Sequence, residues 1–211
     1  MISARYSPLW AGITLWVALV GAGLWHLTTY ANTPGDSALT ANSWPQNTTL
    51  SPDSHVPVLI MAVHPYCPCS RASISELARL TAVCQGKVKT RVLFVLPKGM
   101  TANVEKTPLW SSVVAIPGIE VIEDLEGIEA ARLGALTSGQ CYLFAPDGRR
   151  LFAGGITSAR AHEGDNPGCR AIRLLLTQNP DGGKAASTLC TPVFGCPLTS
   201  PEEKGLSGKS Q

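Results

Sequence analysis

Two closely spaced cysteines stand between a predicted strand and a predicted helix, and this junction constrains the chain more than any other feature. Residues 56–63 form a continuous apolar run, typical of a strand buried on both faces. The stretch His-Pro-Tyr-Cys-Pro-Cys-Ser follows at 64–70, and helical spacing then extends from Ser70 to about Cys84. A helix N-terminus has partial positive charge and unpaired N–H groups, which stabilise a thiolate placed there. The junction therefore indicates thiol chemistry.

The elements that follow predict an α/β domain. A second strand, predicted at 88–96, makes a βαβ unit with the first strand and helix, so the two strands should be parallel. Asp147-Gly148 lies between two strand-like segments and indicates a hairpin. The remaining predictions are a short helix at 109–116, an edge strand at 119–122, a short helix at 127–136, hairpin strands at 140–144 and 150–153, and a last helix opening at Pro167.

The N-terminal region indicates a membrane anchor. Between Arg5 and Asp36 there is no Asp, Glu, Lys or Arg, and residues 9–27 are almost wholly apolar. Nineteen helical residues rise about 28 Å, enough to cross a hydrocarbon core of about 30 Å. We predict a signal-anchor at 9–29 in the inner membrane, with residues 1–8 cytoplasmic and the rest periplasmic, since basic residues favour the cytoplasmic side. The alternative is a cleaved signal peptide, and either arrangement puts the cysteines where disulfides persist.

Composition divides the rest of the chain. Residues 30–55 are rich in Asn, Thr, Ser and Pro, which predicts a flexible linker. The predicted domain covers 56–178, and a cysteine-containing C-terminal tail covers 179–211. A net charge of +2 without a long basic run gives no reason to expect a nucleic-acid partner. The odd count of seven cysteines means that at least one is free or pairs outside the chain.

Several segments resemble the thioredoxin-like superfamily, in particular its membrane-anchored TlpA-like and peroxiredoxin-like branch. Cys67-Pro68-Cys69-Ser70 with Glu76-Leu77 is similar to that branch's active-site segment, and 142–149 is similar to its strand and Asp-Gly turn. More narrowly, segments 64–73, 154–157, 162–166 and 192–198 resemble bacterial RedB-type proteins. The resemblance implies a thioredoxin-like fold, with a central mixed sheet flanked by helices, in a periplasmic, membrane-anchored setting.

Two positions depart from the pattern of that superfamily. Ser70 stands where the second active-site cysteine would be, so the second thiol, Cys69, comes one residue early. Ser138-Gly139 stands where the superfamily has a cis-proline beside the active disulfide. The wall that would bind a substrate therefore differs from the family's.

The residues themselves predict a thiol–disulfide oxidoreductase that acts on a protein thiol or disulfide partner without a cofactor. Cys67, expected to be exposed at the helix N-terminus, is the candidate nucleophile, and Cys69 is the nearest resolving thiol. A bridge across one residue closes a small ring, so we expect a strained, labile disulfide. Ser70, His64 and His162 are candidate supporting residues. The plainer alternative is a static structural disulfide or two free thiols.

The other cysteines have structural alternatives. Cys190 and Cys196 lie in the tail, where a structural disulfide between them is the plainer expectation. The functional alternative is that Cys190 and Cys196 form a second redox pair, or that one of them reaches Cys67 as a resolving or relay thiol. Cys84 and Cys141 fall on a helix face and in a strand, which favours core packing, and Cys169 opens the last helix.

Three other functions compete with exchange. A copper-binding chaperone or assembly factor would use Cys67, Cys69, His64 and His162, a soft S/N set that suits copper(I) or zinc. The spacing is Cys-x-Cys rather than the Cys-x-x-x-Cys of copper chaperones with a thioredoxin-like fold. The second competing function is peroxide reduction, although His64 stands where a peroxidase has Thr or Ser. The third is that of a non-catalytic binding protein.

Overall fold

The computed structural model describes residues 7–38, 42–97, 104–178 and 188–198. Two compact units divide the chain, residues 1–33 and 34–211. Most of the predicted cytoplasmic N-terminus and most of the predicted tail lie outside the described residues. The predicted limits of the linker, domain and tail stay predictions.

The first unit contains helix α1, Ser7–Asn32. Its stretch Pro8–Asn32 is 25 residues long and apolar enough to cross a membrane. At 1.5 Å per residue that stretch spans about 38 Å, more than the thickness of a hydrocarbon core. The predicted anchor at 9–29 falls entirely within this helix.

The second unit is built on a mixed sheet with six strands in the described part of the chain. The order across the sheet is β3-β2-β1-β4-β5-β6, with β1, β2 and β3 parallel and β4 antiparallel to both β1 and β5. The short β6 runs parallel to β5. The strands are β1 Val58–Val63, β2 Lys89–Leu96, β3 Ile119–Leu125, β4 Gln140–Phe144, β5 Arg150–Gly154 and β6 Leu189–Cys190. This is the thioredoxin-like arrangement that the resemblance implied.

Helices cover both faces of the sheet. The sequence explains one helix start directly, because the Thr107 side chain accepts a hydrogen bond from the Trp110 N–H and Pro108 occupies the first turn of α3. The predicted strands, hairpin and helices are confirmed to within a few residues, while β6 was not predicted. The helices of this unit are α2 Ser70–Val83, α3 Pro108–Val114, α4 Ile128–Leu133 and α5 Pro167–Gln178, with a 3-10 turn at Val104–Lys106.

Strand β1 is buried on both faces, as its apolar run predicts. Leu59, Met61 and Val63 join the core cluster that α2, α3 and α5 cover. The alternate residues Val58, Ile60 and Ala62 join a second cluster that includes side chains of α4. Because successive side chains of a strand point to opposite faces, this central strand ties the two halves of the core together.

Part of the predicted linker packs on the domain. Leu50 is buried, and the Trp44 ring lies 4.9 Å from the Phe144 ring, measured between centroids. The Thr49 N–H and hydroxyl both donate to a Glu129 carboxylate oxygen, at 3.1 and 3.0 Å. These contacts hold residues 44–50 against the second core cluster.

Replacing Phe94 by Ala should destabilise the domain by about 3–5 kcal/mol, because it leaves a cavity in the core that the neighbouring side chains fill only in part. Phe94 is fully buried, and its ring centroid lies 4.9 Å from that of Trp110. Urea unfolding of the full chain in mild detergent measures the loss. The matched control is exposed Val114→Ala, expected within about 0.5 kcal/mol of the wild type. Equal effects of the two variants would contradict this packing.

Candidate functional site

The first part of the site is the turn between β1 and α2. The Cys67 N–H donates to the His64 carbonyl at 3.1 Å, and the Ser70 N–H donates to the Cys67 carbonyl at 3.1 Å. Cys69 is the N-cap residue of α2, with helical φ −68° and ψ −27° and no side-chain cap hydrogen bond. The turn therefore places Cys67 directly ahead of the first helical turn, where backbone N–H groups lack intrahelical acceptors.

The second part of the site is a tail segment that pairs with the loop before β4. The Ser138 N–H donates to the Cys196 carbonyl at 2.8 Å, and the Leu198 N–H donates to the Leu136 carbonyl at 3.0 Å. Thr137 and Pro197 form an antiparallel bridge between these hydrogen bonds. This strand-like pairing brings a third thiol to the turn.

The tail segment is tightly seated. Val193 is 2% exposed and Leu198 is 1% exposed, so both side chains are buried in the domain. A Cβ atom on Gly195 would lie 1.9 Å from the Ser138 carbonyl oxygen, so the backbone approach at this point requires glycine. The Arg160 guanidinium donates to the Gly195 carbonyl. These contacts fix the position of Cys196.

Three thiols converge at the site. The sulfur atoms of Cys67, Cys69 and Cys196 all lie within 4.8 Å of one another. Cys67 is 4% exposed and Cys69 is 6% exposed, so the expectation of an exposed nucleophile was wrong. The physical reason is tertiary, because a separate chain segment packs beside the turn.

Hydrogen bonds favour the thiolate form of Cys67. Burial by itself would raise the pKa of this thiol, but donors from Ser70 and Cys196 outweigh that effect and lower the pKa below its ordinary value. In both residues the side chain and the backbone N–H act on the Cys67 sulfur. Cys67 is thus the thiol of the cluster that ionises first.

The two neighbouring thiols stay protonated. Burial raises the pKa of Cys69, and the negative charge of Cys67 raises it further. Burial likewise raises the pKa of Cys196, and so does the hydrogen bond that its thiol donates to Cys67. The positive charge of Arg160 opposes the rise at Cys69 without cancelling it. The cluster is therefore one thiol that ionises more readily than usual, flanked by two thiols whose pKa values are raised.

Ser138 links the turn to the loop before β4. Its hydroxyl oxygen accepts a hydrogen bond from the His64 N–H at 2.7 Å and lies 2.6 Å from the Ser70 hydroxyl oxygen. The position where the resemblance implied a proline thus supplies a hydrogen-bonding side chain. His64 is half-buried, and burial lowers the pKa of its imidazole, which favours the neutral ring.

His162 lies apart from the thiol cluster. Its side chain is exposed, and its loop is held against the middle of α2. Glu163 pairs with Arg79 at 2.7 Å, and the Gly164 N–H donates to a Glu76 carboxylate oxygen at 2.8 Å. The structure groups Cys67 and Cys69 with Cys196, whereas the predicted metal set grouped them with His64 and His162.

The remaining cysteines are outside the cluster. Cys190 is exposed on β6, whereas Cys196 sits with Cys67 and Cys69. Cys84 and Cys141 are fully buried in the main core cluster, as their pattern predicted. Cys169 is half-buried, and burial raises its pKa to about 11. Every cysteine lies in the described residues, and each is a free thiol in the structure.

This arrangement supports two kinds of chemistry. A thiolate beside protonated thiols can attack a disulfide and then be released by a second thiol. Three converging sulfurs can also hold a soft metal ion. Sequence reasoning missed the parts played by Ser138 and Arg160, because hydrogen bonds between distant segments leave no local periodic signal. The local sequence signal for the tail contact was Gly195, next to Cys196, because its backbone lies too close to the Ser138 carbonyl for a side chain.

No protein-family model matches the sequence, and no curated protein matches it. Among solved structures, a hypothetical protein from Sinorhizobium meliloti 1021 is similar at 18% identity and a TM-score of 0.60, covering 77% of this chain and 96% of its own. An uncharacterized conserved protein from Geobacillus kaustophilus has 19% identity and a TM-score of 0.54, covering 81% and 94%. These two likenesses support the fold alone. A SCO1/SenC family lipoprotein from Bacillus anthracis has 10% identity and a TM-score of 0.48, covering 68% of this chain and 98% of its own.

Removing the Ser70 hydroxyl should make Cys67 less reactive near neutral pH. Ser70→Ala deletes a donor that lowers the pKa of Cys67, so the thiolate fraction at pH 7 falls. A hydrogen bond to a charged group is worth about 1.5 kcal/mol, which corresponds to roughly a tenfold slower alkylation. Mass-mapped iodoacetamide labelling between pH 5 and 10 measures the rate at Cys67, and the variant's midpoint should move to higher pH.

The matched control is Ser75→Ala, a half-buried serine of the same helix that lines a different groove. Its labelling profile should follow that of the wild type. If both serine variants shift the profile equally, the effect belongs to the helix in general and the assigned hydrogen bond is wrong.

Proposed function

We propose that the protein carries out thiol–disulfide exchange with a protein partner, using Cys67 of the Cys-Pro-Cys site as the nucleophile. The observation that carries the proposal is the placement of Cys67 just ahead of α2, within 4.8 Å of two other sulfurs and beside donors from Ser70 and Cys196. Donors from Ser70 and Cys196 lower the pKa of Cys67, while burial keeps the neighbouring thiols protonated. An activated thiolate with a second thiol within 4.8 Å is what exchange requires.

The proposed reaction has two displacements. The Cys67 thiolate attacks one sulfur of the partner's disulfide, so a mixed disulfide forms and the partner's other sulfur leaves as a thiolate that takes up a proton. A second thiol of the cluster then loses its proton and attacks the Cys67 sulfur. The remaining partner sulfur leaves, and the partner has gained the two electrons that the cluster has lost. The reverse sequence oxidises a partner dithiol.

The proposed setting is the periplasmic face of the inner membrane. Helix α1 supports this because its apolar stretch is long enough to span a bilayer. The sequence has Arg5 on one flank and no further charge until Asp36, which favours a cytoplasmic N-terminus. Within the thioredoxin-like superfamily, we assign the chain to the RedB-type proteins on the segments that resemble them.

Cys67→Ser should reduce exchange to the uncatalysed background, because a serine hydroxyl is not ionised and cannot form the mixed disulfide. The measurement is the approach to equilibrium between a disulfide peptide and a dithiol peptide, with full-length protein in detergent, followed by mass spectrometry. A catalyst speeds this approach from both sides, so the assay needs no assumption about direction.

The control is Cys190→Ser, which removes an exposed thiol outside the cluster and should leave the exchange rate within twofold of the wild type. Catalysis that survives in Cys67→Ser and disappears in Cys190→Ser would contradict the proposed nucleophile. Catalysis retained in both variants would place the nucleophile at another cysteine, whereas a wild-type protein that does not speed the exchange would favour a protein that only binds its partners.

A second function, copper(I) handling, has one observation in its favour. Three sulfurs converge within 4.8 Å, and soft thiolate ligands select copper(I). Because the ligands must be deprotonated, the raised pKa values of Cys69 and Cys196 make the apparent affinity increase with pH. The metal would be cargo held by Cys67, Cys69 and Cys196.

If copper(I) binds these three sulfurs, Cys196→Ser should weaken binding at least tenfold, because it removes one of three ligands. His162→Ala should bind as the wild type does, since His162 is exposed and outside the cluster. Competition with a chromophoric copper(I) chelator at pH 6, 7 and 8 measures both variants. Stronger loss in His162→Ala would restore the Cys/His ligand set and contradict the three-sulfur site.

A further inference from the structure

We infer that Cys196, and not Cys69, is the thiol that resolves the mixed disulfide on Cys67. The inference rests on the proposed exchange function and specifies its second step. It makes the tail segment 193–198 a working part of the active site. Two observations carry it, namely the backbone of the Cys67–Ser70 turn and the seating of the tail.

The turn disfavours a bridge between Cys67 and Cys69. The two residues are separated only by Pro68, and the Ser70 N–H closes the turn on the Cys67 carbonyl at 3.1 Å. Cys69 already has helical φ and ψ as the N-cap of α2. The two sulfurs lie within 4.8 Å, but a disulfide across a single intervening residue closes a small ring, so forming it would distort the turn. This turn leads into α2, whose N-terminus stabilises the Cys67 thiolate. Distorting the turn would therefore weaken that stabilisation.

Cys196 approaches from an independent segment. Its backbone is fixed by the Ser138 N–H at 2.8 Å and by the close packing of Gly195 on the Ser138 carbonyl. Buried Val193 and Leu198 anchor the segment on both sides of the cysteine. The Cys67 and Cys196 sulfurs lie within 4.8 Å of each other on two independent segments, so a disulfide between them closes no small ring inside the turn.

Cys196 is also placed for the attack. Its sulfur lies within 4.8 Å of the Cys67 sulfur, and its thiol and its backbone N–H are both donors to that sulfur. The Cys69 thiol is a donor to the Cys67 sulfur as well, so the backbones of the turn and of the tail decide between the two thiols.

An aromatic disulfide, 5,5′-dithiobis(2-nitrobenzoate), tests the assignment on the full-length protein in detergent. The Cys67 thiolate attacks it, releases one thionitrobenzoate and retains the other as an adduct. The resolving thiol loses its proton, attacks the Cys67 sulfur and releases the second thionitrobenzoate. Time-resolved peptide mass mapping follows the adduct on Cys67 and identifies the disulfide that replaces it, so a separate reaction at exposed Cys190 does not interfere.

In the wild type, the final product should be a peptide containing Cys67 cross-linked to a peptide containing Cys196. Cys196→Ser keeps a hydroxyl donor beside Cys67 and should leave the adduct decaying at least tenfold more slowly than in Cys69→Ser. Slow decay in Cys69→Ser, with a Cys67–Cys69 product in the wild type, would overturn the inference and leave exchange intact. Failure of wild-type Cys67 to form an adduct while Cys190 is labelled would overturn the exchange function as well.

Gly195→Ala supplies a variant that retains all three thiols. The added Cβ would meet the Ser138 carbonyl oxygen at 1.9 Å and must push the tail away from the loop before β4, which moves Cys196 as well. Adduct decay should slow at least fivefold, although every cysteine is present. Decay at the wild-type rate in Gly195→Ala, together with wild-type rates in Cys196→Ser, would show that the tail thiol takes no part.

Discussion

The site depends on the hydrogen bonds donated to the Cys67 sulfur. They come from two places that are far apart in the sequence, Ser70 at the start of α2 and Cys196 in the tail. Burial opposes ionisation of this thiol, so these donors decide its charge state. The turn after β1 is therefore only half of the site, and the tail completes it.

The rest of the domain can be understood as the support for that contact. Strand β1 is buried on both faces and fixes the turn at the edge of the sheet. The loop before β4 receives the tail through backbone hydrogen bonds, and Ser138 connects this loop to the turn through His64 and Ser70. Ser138 as a whole joins three segments, because its hydroxyl contacts the turn while its backbone N–H holds the tail.

The same three sulfurs serve both proposed functions, and the protonation state separates them. Exchange uses the cluster with a single thiolate, because the attacking thiol must be ionised while its resolving partner waits. Copper(I) binding needs the neighbouring thiols to lose their protons as well. Because burial raises the pKa of Cys69 and of Cys196, neutral pH favours the state that suits exchange.

The sequence by itself determined most of the fold and one half of the site. Continuous apolar runs, helical spacing and the Asp147-Gly148 turn are local signals, and they predicted β1, α2, β2 and the hairpin correctly. They also placed Cys67 and Cys69 ahead of a helix. Tertiary structure alone decided that Cys67 is buried, that Cys196 joins it and that His162 does not. Local patterns record which face of an element is apolar, whereas contacts between segments more than 100 residues apart depend on how the whole sheet and its loops pack.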